Sequence, residues 1–254
     1  MLPQQRRMKI IDLLKEEGSA RVKYLSNLLS VSEPTIRQDL ERLEKEGLII
    51  REHGGAYLKS LPEQVKSLTL QHTENMDKKK LIGRRAAEYI DNGNSIILDS
   101  GTTVTEIAKN LEHKENLRII TTSLNIALLL GVHYSFDIMV TGGDFKAPTL
   151  SLTGEKAAAF FDHIHVDKLF LAAGGISPDN GLTYPGFNDI AVKQAMIESA
   201  TEVYLVADST KIGKICFALL GPAEMIDYLI TDKDIPDSIH KELEKRGVKV
   251  IIAE

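Results

Sequence analysis

Five short clusters in the C-terminal two-thirds of the chain combine small hydroxyl side chains, glycine and aspartate. They are Asp99-Ser100-Gly101-Thr102-Thr103, Thr121-Thr122-Ser123, Thr141-Gly142-Gly143-Asp144, Ala173-Gly174-Gly175 and Asp208-Ser209-Thr210-Lys211. Glycine lets a backbone approach a ligand closely, hydroxyls and free amides donate hydrogen bonds, and the start of a following helix favours negative charge. This chemistry suits a small anion, with Lys193 or Lys211 as the source of positive charge. A phosphorylated small molecule satisfies the combination. Taken singly, each cluster is also what an ordinary turn or helix cap is made of.

A second group lies near the N-terminus. Ile36, Leu40 and Leu43 at i, i+4 and i+7 mark the buried side of a helix, which leaves Pro34, Gln38, Glu41 and Lys45 opposite, flanked by Thr35, Arg37 and Arg42. A helix start carrying Thr, Arg and Gln can reach base edges: Gln suits bidentate contact with adenine, and Arg suits guanine or a phosphate.

The elements that must position these residues follow from periodicity. A first helix is predicted over Pro3–Glu17, where Met8, Ile11 and Leu14 recur beside Ile10 and Leu13, and Gly18 ends it. Val22, Leu25, Leu28 and Leu29 form a short second helix, and Ser30-Val31 makes the turn. Ser32 is placed as the N-cap of the third helix, Glu33 suits its positive end, and Pro34 is tolerated in a first turn. Gly47 stops that helix. Leu48–Ile50 then supply a strand and Arg51 to Ala56, with His53 and Gly54, the tip of a ribbon. This is the layout of a winged helix-turn-helix, whose usual work is to insert a helix into the DNA major groove. The same pattern also fits a small helical domain that binds no DNA, or a winged helix that binds protein.

Beyond a linker at 58–75, where Pro62 breaks any helix, short apolar strands alternate with helices. Strands are expected at 95–98, 118–121, 136–140, 168–172, 203–207, 228–231 and 248–252, with helices between them, including 104–111, 124–130, 155–161, 189–200 and 236–246. The pattern predicts an α/β domain over 76–254 with a mostly parallel sheet covered on both faces, behind a winged helix-turn-helix at 1–57. In such a sheet the five clusters share the carboxyl edge, where ligands bind.

Composition bounds these readings. The chain has 254 residues, 43% of them hydrophobic and 26% charged, enough for one small and one medium domain. No apolar run approaches the roughly 18 residues of a membrane span, and the N-terminus lacks an apolar signal core, so a cytoplasmic protein is expected. The single Cys216 excludes an internal disulfide. Residues 1–60 carry 11 Lys/Arg against 9 Asp/Glu, whereas the rest carry 20 against 27, a weakly positive head on an acidic body. His163 and His165 at i, i+2 lack a clear third ligand, so no metal site is expected. Asp99 and Asp144 are conceivable as paired carboxylates for sugar enolisation, but a buried structural Asp at a strand end is the commoner arrangement.

The run Ser32 to Glu44, followed by Gly47 and Arg51-Glu52-His53-Gly54-Gly55-Ala56, resembles the signature of the DeoR family of bacterial transcriptional repressors, and the resemblance extends through the clusters at 99–103, 141–143 and 208–211. Gln38 departs from the family, which commonly has a second Arg there; the departure bears on the operator sequence read. The resemblance implies a sensor domain similar in fold to ribose-5-phosphate isomerase and glucosamine-6-phosphate deaminase, with a phosphorylated sugar as effector and no cofactor. It implies that Ser100, Gly101, Thr102 and Thr103 beside Asp99 hold the phosphate, that Thr122, Ser123, Gly142, Gly143 and Asp144 line the sugar, and that Lys193 and Lys211 close the site. Asp189 stands where the family often has Glu, one methylene longer.

The expected function is therefore a repressor of a carbohydrate-use operon, bound to double-stranded operator DNA through Ser32, Pro34, Thr35, Arg37, Gln38, Arg42, Lys45, Arg51, His53 and Gly54, and released by a sugar phosphate. One winged helix covers few base pairs, so a homo-oligomer (dimer or tetramer) on repeated half-sites is expected. The alternative is a sugar-phosphate isomerase or deaminase.

Overall fold

A computed structural model describes residues 2–17, 19–52, 54–58, 74–146 and 149–254, apart from the side chains of 15–17 and 58. Two units emerge, Met1–Glu74 and Asn75–Glu254. The stop expected at Gly18, the wing residue His53 and nearly all of the 58–75 linker lie outside the described residues.

In the first unit, helices α1 (Pro3–Glu17), α2 (Val22–Leu29) and α3 (Glu33–Lys45) accompany an antiparallel sheet of β1 (Ser19–Arg21), β2 (Ile49–Glu52) and β3 (Gly55–Leu58), with β3 in the middle. The turn between α2 and α3 is made by Ser30, whose left-handed backbone (φ 53°) turns its amide to the Asn27 and Ser26 carbonyls. Ser32 caps α3: its Oγ accepts from the Thr35 amide at 3.4 Å. Ile36, Leu40 and Leu43 enter one core with Ile10, Leu14, Val22, Leu25, Ile49 and Ala56. The wing turns at Gly54, whose φ of +85° favours glycine.

The apolar row of α1 differs from expectation. Met8 is 64% exposed, and the buried residues are Arg6, Ile10 and Leu14, four apart. Arg6 defines this row because its guanidinium donates to Asp39 on α3, with Arg7 adding a second contact to Asp39 at 3.6 Å. A hydrophobic pattern cannot register a row whose first member is charged.

The second unit is built on seven parallel strands: β4 (Ser95–Leu98), β5 (Arg118–Thr121), β6 (Asp137–Val140), β9 (Val166–Ala172), β12 (Ala200–Val206), β14 (Tyr228–Asp232) and β15 (Lys249–Ala253). Their order is β15-β14-β12-β9-β4-β5-β6. The chain steps outward from β4 to β6, then returns to the other side of β4 and runs from β9 to β15. Strand order thus reverses between β4 and β9, the place where an open α/β sheet leaves a crevice at its carboxyl edge. Ile96, Leu98, Phe170 and Val206 pack with α4 (Met76–Ala87), α5 (Thr102–Ala108) and α6 (Leu124–Leu130). Ile97, Leu169, Leu171 and Leu205 pack with α7 (Glu155–Ala159), α8 (Ile190–Glu198) and α9 (Asp237–Lys245). Burial on both faces is why these strands read as continuous apolar runs.

Two small antiparallel sheets were not foreseen: β7 (Asp144–Lys146) with β8 (Ser151–Thr153), and β10 (Gly175–Ser177) with β11 (Gly181–Tyr184) and β13 (Ala218–Gly221). Strands of three or four residues are too short to carry a period. Among the described residues no helix is long and apolar enough to cross a membrane.

Removing one partner of a buried ion pair leaves an uncompensated charge, at a cost of about 3–5 kcal/mol. Asp39→Ala, which strands Arg6, is expected to lower the stability of the N-terminal unit by that amount in calorimetry, with the transition of the second unit unmoved.

Candidate functional site

The outer face of α3 presents Pro34, Arg37, Gln38, Glu41, Arg42 and Lys45 to solvent. Thr35 is half-buried, its hydroxyl 2.9 Å from Ser32 Oγ, so both belong to the cap as well as to the surface. Three of the basic side chains are tethered one turn away: Arg37 to Glu33 at 2.8 Å, Arg42 to Glu46 at 2.9 Å and Lys45 to Glu41 at 2.8 Å. Arg51 of the wing lies 3.6 Å from Glu44. Exposed pairs of this kind are worth about 0–1 kcal/mol each and are readily exchanged for a phosphate. Arg37, Arg51, Glu52, Gly54, Gly55 and Val22 line a cleft of about 380 Å³. The arrangement thus offers an exposed amide side chain at Gln38, with cations around it for a duplex backbone.

In the second unit the clusters at the ends of β4, β5, β6 and β9 share the carboxyl edge of the parallel sheet, as the common strand direction requires. Asp99, at the end of β4, is fully buried. One of its oxygens accepts from Lys193 Nζ and, at 2.6 Å, from the Ser100 amide; the other accepts from the Ala172 amide of β9 at 3.0 Å. Lys193 is itself 5% exposed, on α8. The lysine anticipated as a closing group is therefore sealed against the first cluster, at the point where strand order reverses. Asp144 is exposed on β7, and the carboxylate pairing of Asp99 with Asp144 gives way to the buried structural Asp.

Tyr184, missed in the sequence, completes this corner. Its hydroxyl donates to the Ala172 carbonyl at 2.7 Å, and Lys193 Nζ lies 5.6 Å from its ring centroid. Burial, with Asp99 and Asp189 adding to it, pushes the phenol well above its ordinary value. Asp189 is also buried and accepts from Lys146 Nζ at 2.7 Å. Lys146 was missed too; the signal available was a charged residue ending a short strand three positions after a glycine pair.

Gly101 has a φ of +121° and Gly143 one of +114°. A Cβ at Gly143 would lie 2.7 Å from the Thr153 carbonyl oxygen and 2.8 Å from Ala157 Cβ, so only glycine fits. Gly142 has open space around its α-carbon. Thr122 and Ser123 are buried, Ser123 Oγ capping α6 by accepting from the Ile126 amide at 3.4 Å. Thr103 is buried, whereas Ser100 and Thr102 are half-buried. Lys211 is half-buried and, among the described residues, has no ion-pair partner. His163 and His165 are exposed ahead of β9, His165 meeting Thr201 Oγ1 at 2.9 Å. Among the described residues no group of three His, Cys, Asp or Glu side chains is placed to hold a metal.

Two outcomes follow. Arg37→Ala is expected to weaken duplex binding and reduce the magnitude of its log–log salt slope by about 1, as loss of one phosphate contact does; anisotropy titrations at several salt concentrations check it. Because the Tyr184 phenol is raised in the folded state, its contribution is fully present below its unfolded value near pH ~10 and is lost as pH climbs through the folded one. Tyr184→Phe should therefore flatten the alkaline fall in stability of the second unit, read by denaturant melts from pH 8 upward.

Comparison with known proteins bears on both units. Residues 6–61 match the DeoR-like helix-turn-helix domain and residues 74–233 the DeoR C terminal sensor domain. The HTH-type transcriptional regulator GlpR of Haloferax volcanii is 33% identical, covering 99% of this chain and 98% of its own length. The HTH-type transcriptional regulator GolR of Listeria innocua is 34% identical over the whole of both chains, 100% of each. The glycerol-3-phosphate regulon repressor of Escherichia coli is 33% identical over 97% of each. A solved structure described as ribose 5-phosphate isomerase A from Methanocaldococcus jannaschii aligns with 55% of this chain and 55% of its own at 17% identity, with a TM-score of 0.40.

Proposed function

The chain belongs to the DeoR family of transcriptional regulators, and from that premise we propose that it represses a carbohydrate-use operon in the cytoplasm and is released from its operator by a phosphorylated sugar. A DNA-binding regulator rather than an enzyme is what its full-length relatives are named. The name of the Escherichia coli relative, a glycerol-3-phosphate regulon repressor, supports a small phosphate ester as the class of effector.

The observation that carries the reading is the ion pair of Lys193 with Asp99, desolvated at the switch point of the sheet, at the start of the first small-residue cluster and bonded to the strand that leads into the fourth. With its charge matched by Asp99, Lys193 adds no net positive charge; the pair instead fixes the start of the 99–103 cluster, whose hydroxyls and amides an incoming phosphate meets. Ser100, Gly101, Thr102 and Thr103 hold the phosphate. Thr122, Ser123, Gly142, Gly143 and Asp144 line the sugar, Asp189 with its Lys146 partner reads its hydroxyls, and Lys211 closes over the anion. On the DNA side, Gln38 reads base edges while Arg37, Arg42, Lys45, Arg51 and the wing around His53 and Gly54 follow the backbone. Two copies at least are needed to cover an operator of paired half-sites.

The effector acts only through differential affinity for the DNA-competent and released states, and a ~100-fold loss of operator binding needs about 3 kcal/mol of coupling. Thermal melts against glycerol 3-phosphate and triose, pentose and hexose monophosphates test the reading, since a ligand of the folded state raises the midpoint by mass action. One of them is expected to stabilise the second unit. The double variant Thr102→Ala/Thr103→Ala should abolish that shift while duplex binding is kept; a normal shift in this variant removes the phosphate from this loop.

A further inference from the structure

The first turn of α4 is fastened to the fifth small-residue cluster by a set of polar contacts that the effector site does not require. Lys78 Nζ donates to Ser209 Oγ at 2.7 Å, to Asp232 Oδ1 at 2.8 Å and to Asp234 Oδ2 at 2.7 Å. Asp232, buried at the end of β14, uses its other oxygen to accept from the Ser209 amide at 2.7 Å. One carboxylate therefore joins the helix to the loop. Its charge is secure: burial alone would raise the Asp232 carboxyl, but hydrogen bonds from Lys78 and Ser209 outweigh it and hold the group below its ordinary value. Lys78 is held above its ordinary value, Asp232 and Asp234 overcoming the effect of burial.

A second, independent contact comes from Asn75. This residue stands at the N-cap of α4 with φ of 57°, yet its side chain caps nothing on its own helix. Asn is among the best capping residues, so the cap bond is forgone at this position. The amide reaches instead to Asp208 Oδ1 and Thr210 Oγ1, each at 3.4 Å. A cleft of about 530 Å³ lined by Asp77, Lys78, Leu81 and Asp232 to Asp234 runs beside the same turn. Polar fastenings, rather than apolar packing on all sides, position the start of this helix.

Residues 208–211 follow β12 and end in Lys211, and α4 is the helix by which the chain continues into the second unit after residues 58–73. We propose that Lys78 and Asn75 are positioning residues that make the conformation of the 208–211 loop and the placement of the first turn of α4 a single equilibrium, through which effector occupancy is felt by the segment leading to the DNA-binding unit. The inference rests on the sugar-phosphate reading of the sheet edge and adds the route by which occupancy leaves it. Neither residue is among those assigned to the effector. Their loss uncouples the two events without preventing either.

The test uses the full chain, a duplex enriched by the wild-type protein from a random-sequence pool, and whichever phosphorylated sugar of the panel above stabilises the wild type most. For the wild type this sugar is expected to weaken duplex binding by about tenfold or more, within the usual range of allosteric coupling. In Lys78→Met the ratio of affinities without and with sugar is expected to fall below about threefold, while the sugar-free duplex affinity and the thermal shift by the sugar persist. Asn75→Gly, which keeps the left-handed backbone and removes the amide, should reduce the ratio in the same direction and decides the matter if Lys78→Met does not fold. Lys78→Arg, able to keep the carboxylates paired, should restore most of the ratio. A purely structural role would shift the melting midpoint and leave the ratio alone. A full wild-type ratio in both Lys78→Met and Asn75→Gly overturns the coupling role. A wild type that no sugar phosphate stabilises, or whose duplex binding none weakens, overturns the sensor reading and this inference with it.

Discussion

A lysine ammonium and an aspartate carboxylate, closed off from water against one another, are what the second unit is arranged around. Either charge alone in that position would cost several kcal/mol, so each is present only because the other is. Asp99 also takes the amides of Ser100 and Ala172, which ties the end of β4 to the end of β9 at the point where strand order reverses. Lys193 brings in α8, and Tyr184, bonded to the Ala172 carbonyl, brings in β11. Four secondary elements, β4, β9, α8 and β11, thus meet at one pair of charges together with the first small-residue cluster. The small-residue loop that opens at Asp99 is hung from a corner whose geometry is over-determined.

The N-terminal unit uses the same device for a different end. Buried ion pairs add little net stability over an apolar replacement of equal volume, so their value lies in geometry. Asp39 sits one position after Gln38 and is drawn inward to Arg6. A helix whose Asp39 must face α1 has no freedom to rotate about its axis, and Gln38 is therefore held outward. Ile36, Leu40 and Leu43 alone would tolerate small rotations of an apolar stripe; a hydrogen-bonded carboxylate does not.

Much of this architecture was legible in the chain. The third helix announced its cap, its first-turn proline and its stripe within thirteen residues, and 118–121 and 124–130 appear as strand and helix at the bounds read from their apolar runs. The carboxyl-edge clusters followed from alternation of strands and helices. What stayed hidden depends on pairs remote in sequence. Asp39 is an unremarkable acid in a charged helix until Arg6, 33 residues earlier, is seen against it. Lys146 and Asp189 are 43 residues apart, Lys78 and Ser209 131 apart, and no periodicity links such partners. Strands β1, β7 and β10 are three residues each, below the length at which alternation means anything. Met8 was misplaced because its row is keyed by an arginine.

The glutamates on the recognition helix carry one further implication. Arg37, Arg42 and Lys45 each come with a carboxylate of their own one turn away. This surface consequently approaches an arbitrary stretch of chromosome almost charge-balanced. Attraction to anonymous sequence grows with the number of phosphates neutralised, and a genome offers about 10⁶ or more wrong sites for every right one. Internal neutralisation of a DNA-facing surface lowers that background, because fewer phosphates are neutralised by free cations. If this face meets the operator as proposed above, the carboxylates would surrender their partners only where base edges reward the exchange, and a small cellular supply of the regulator would then suffice to occupy its operator.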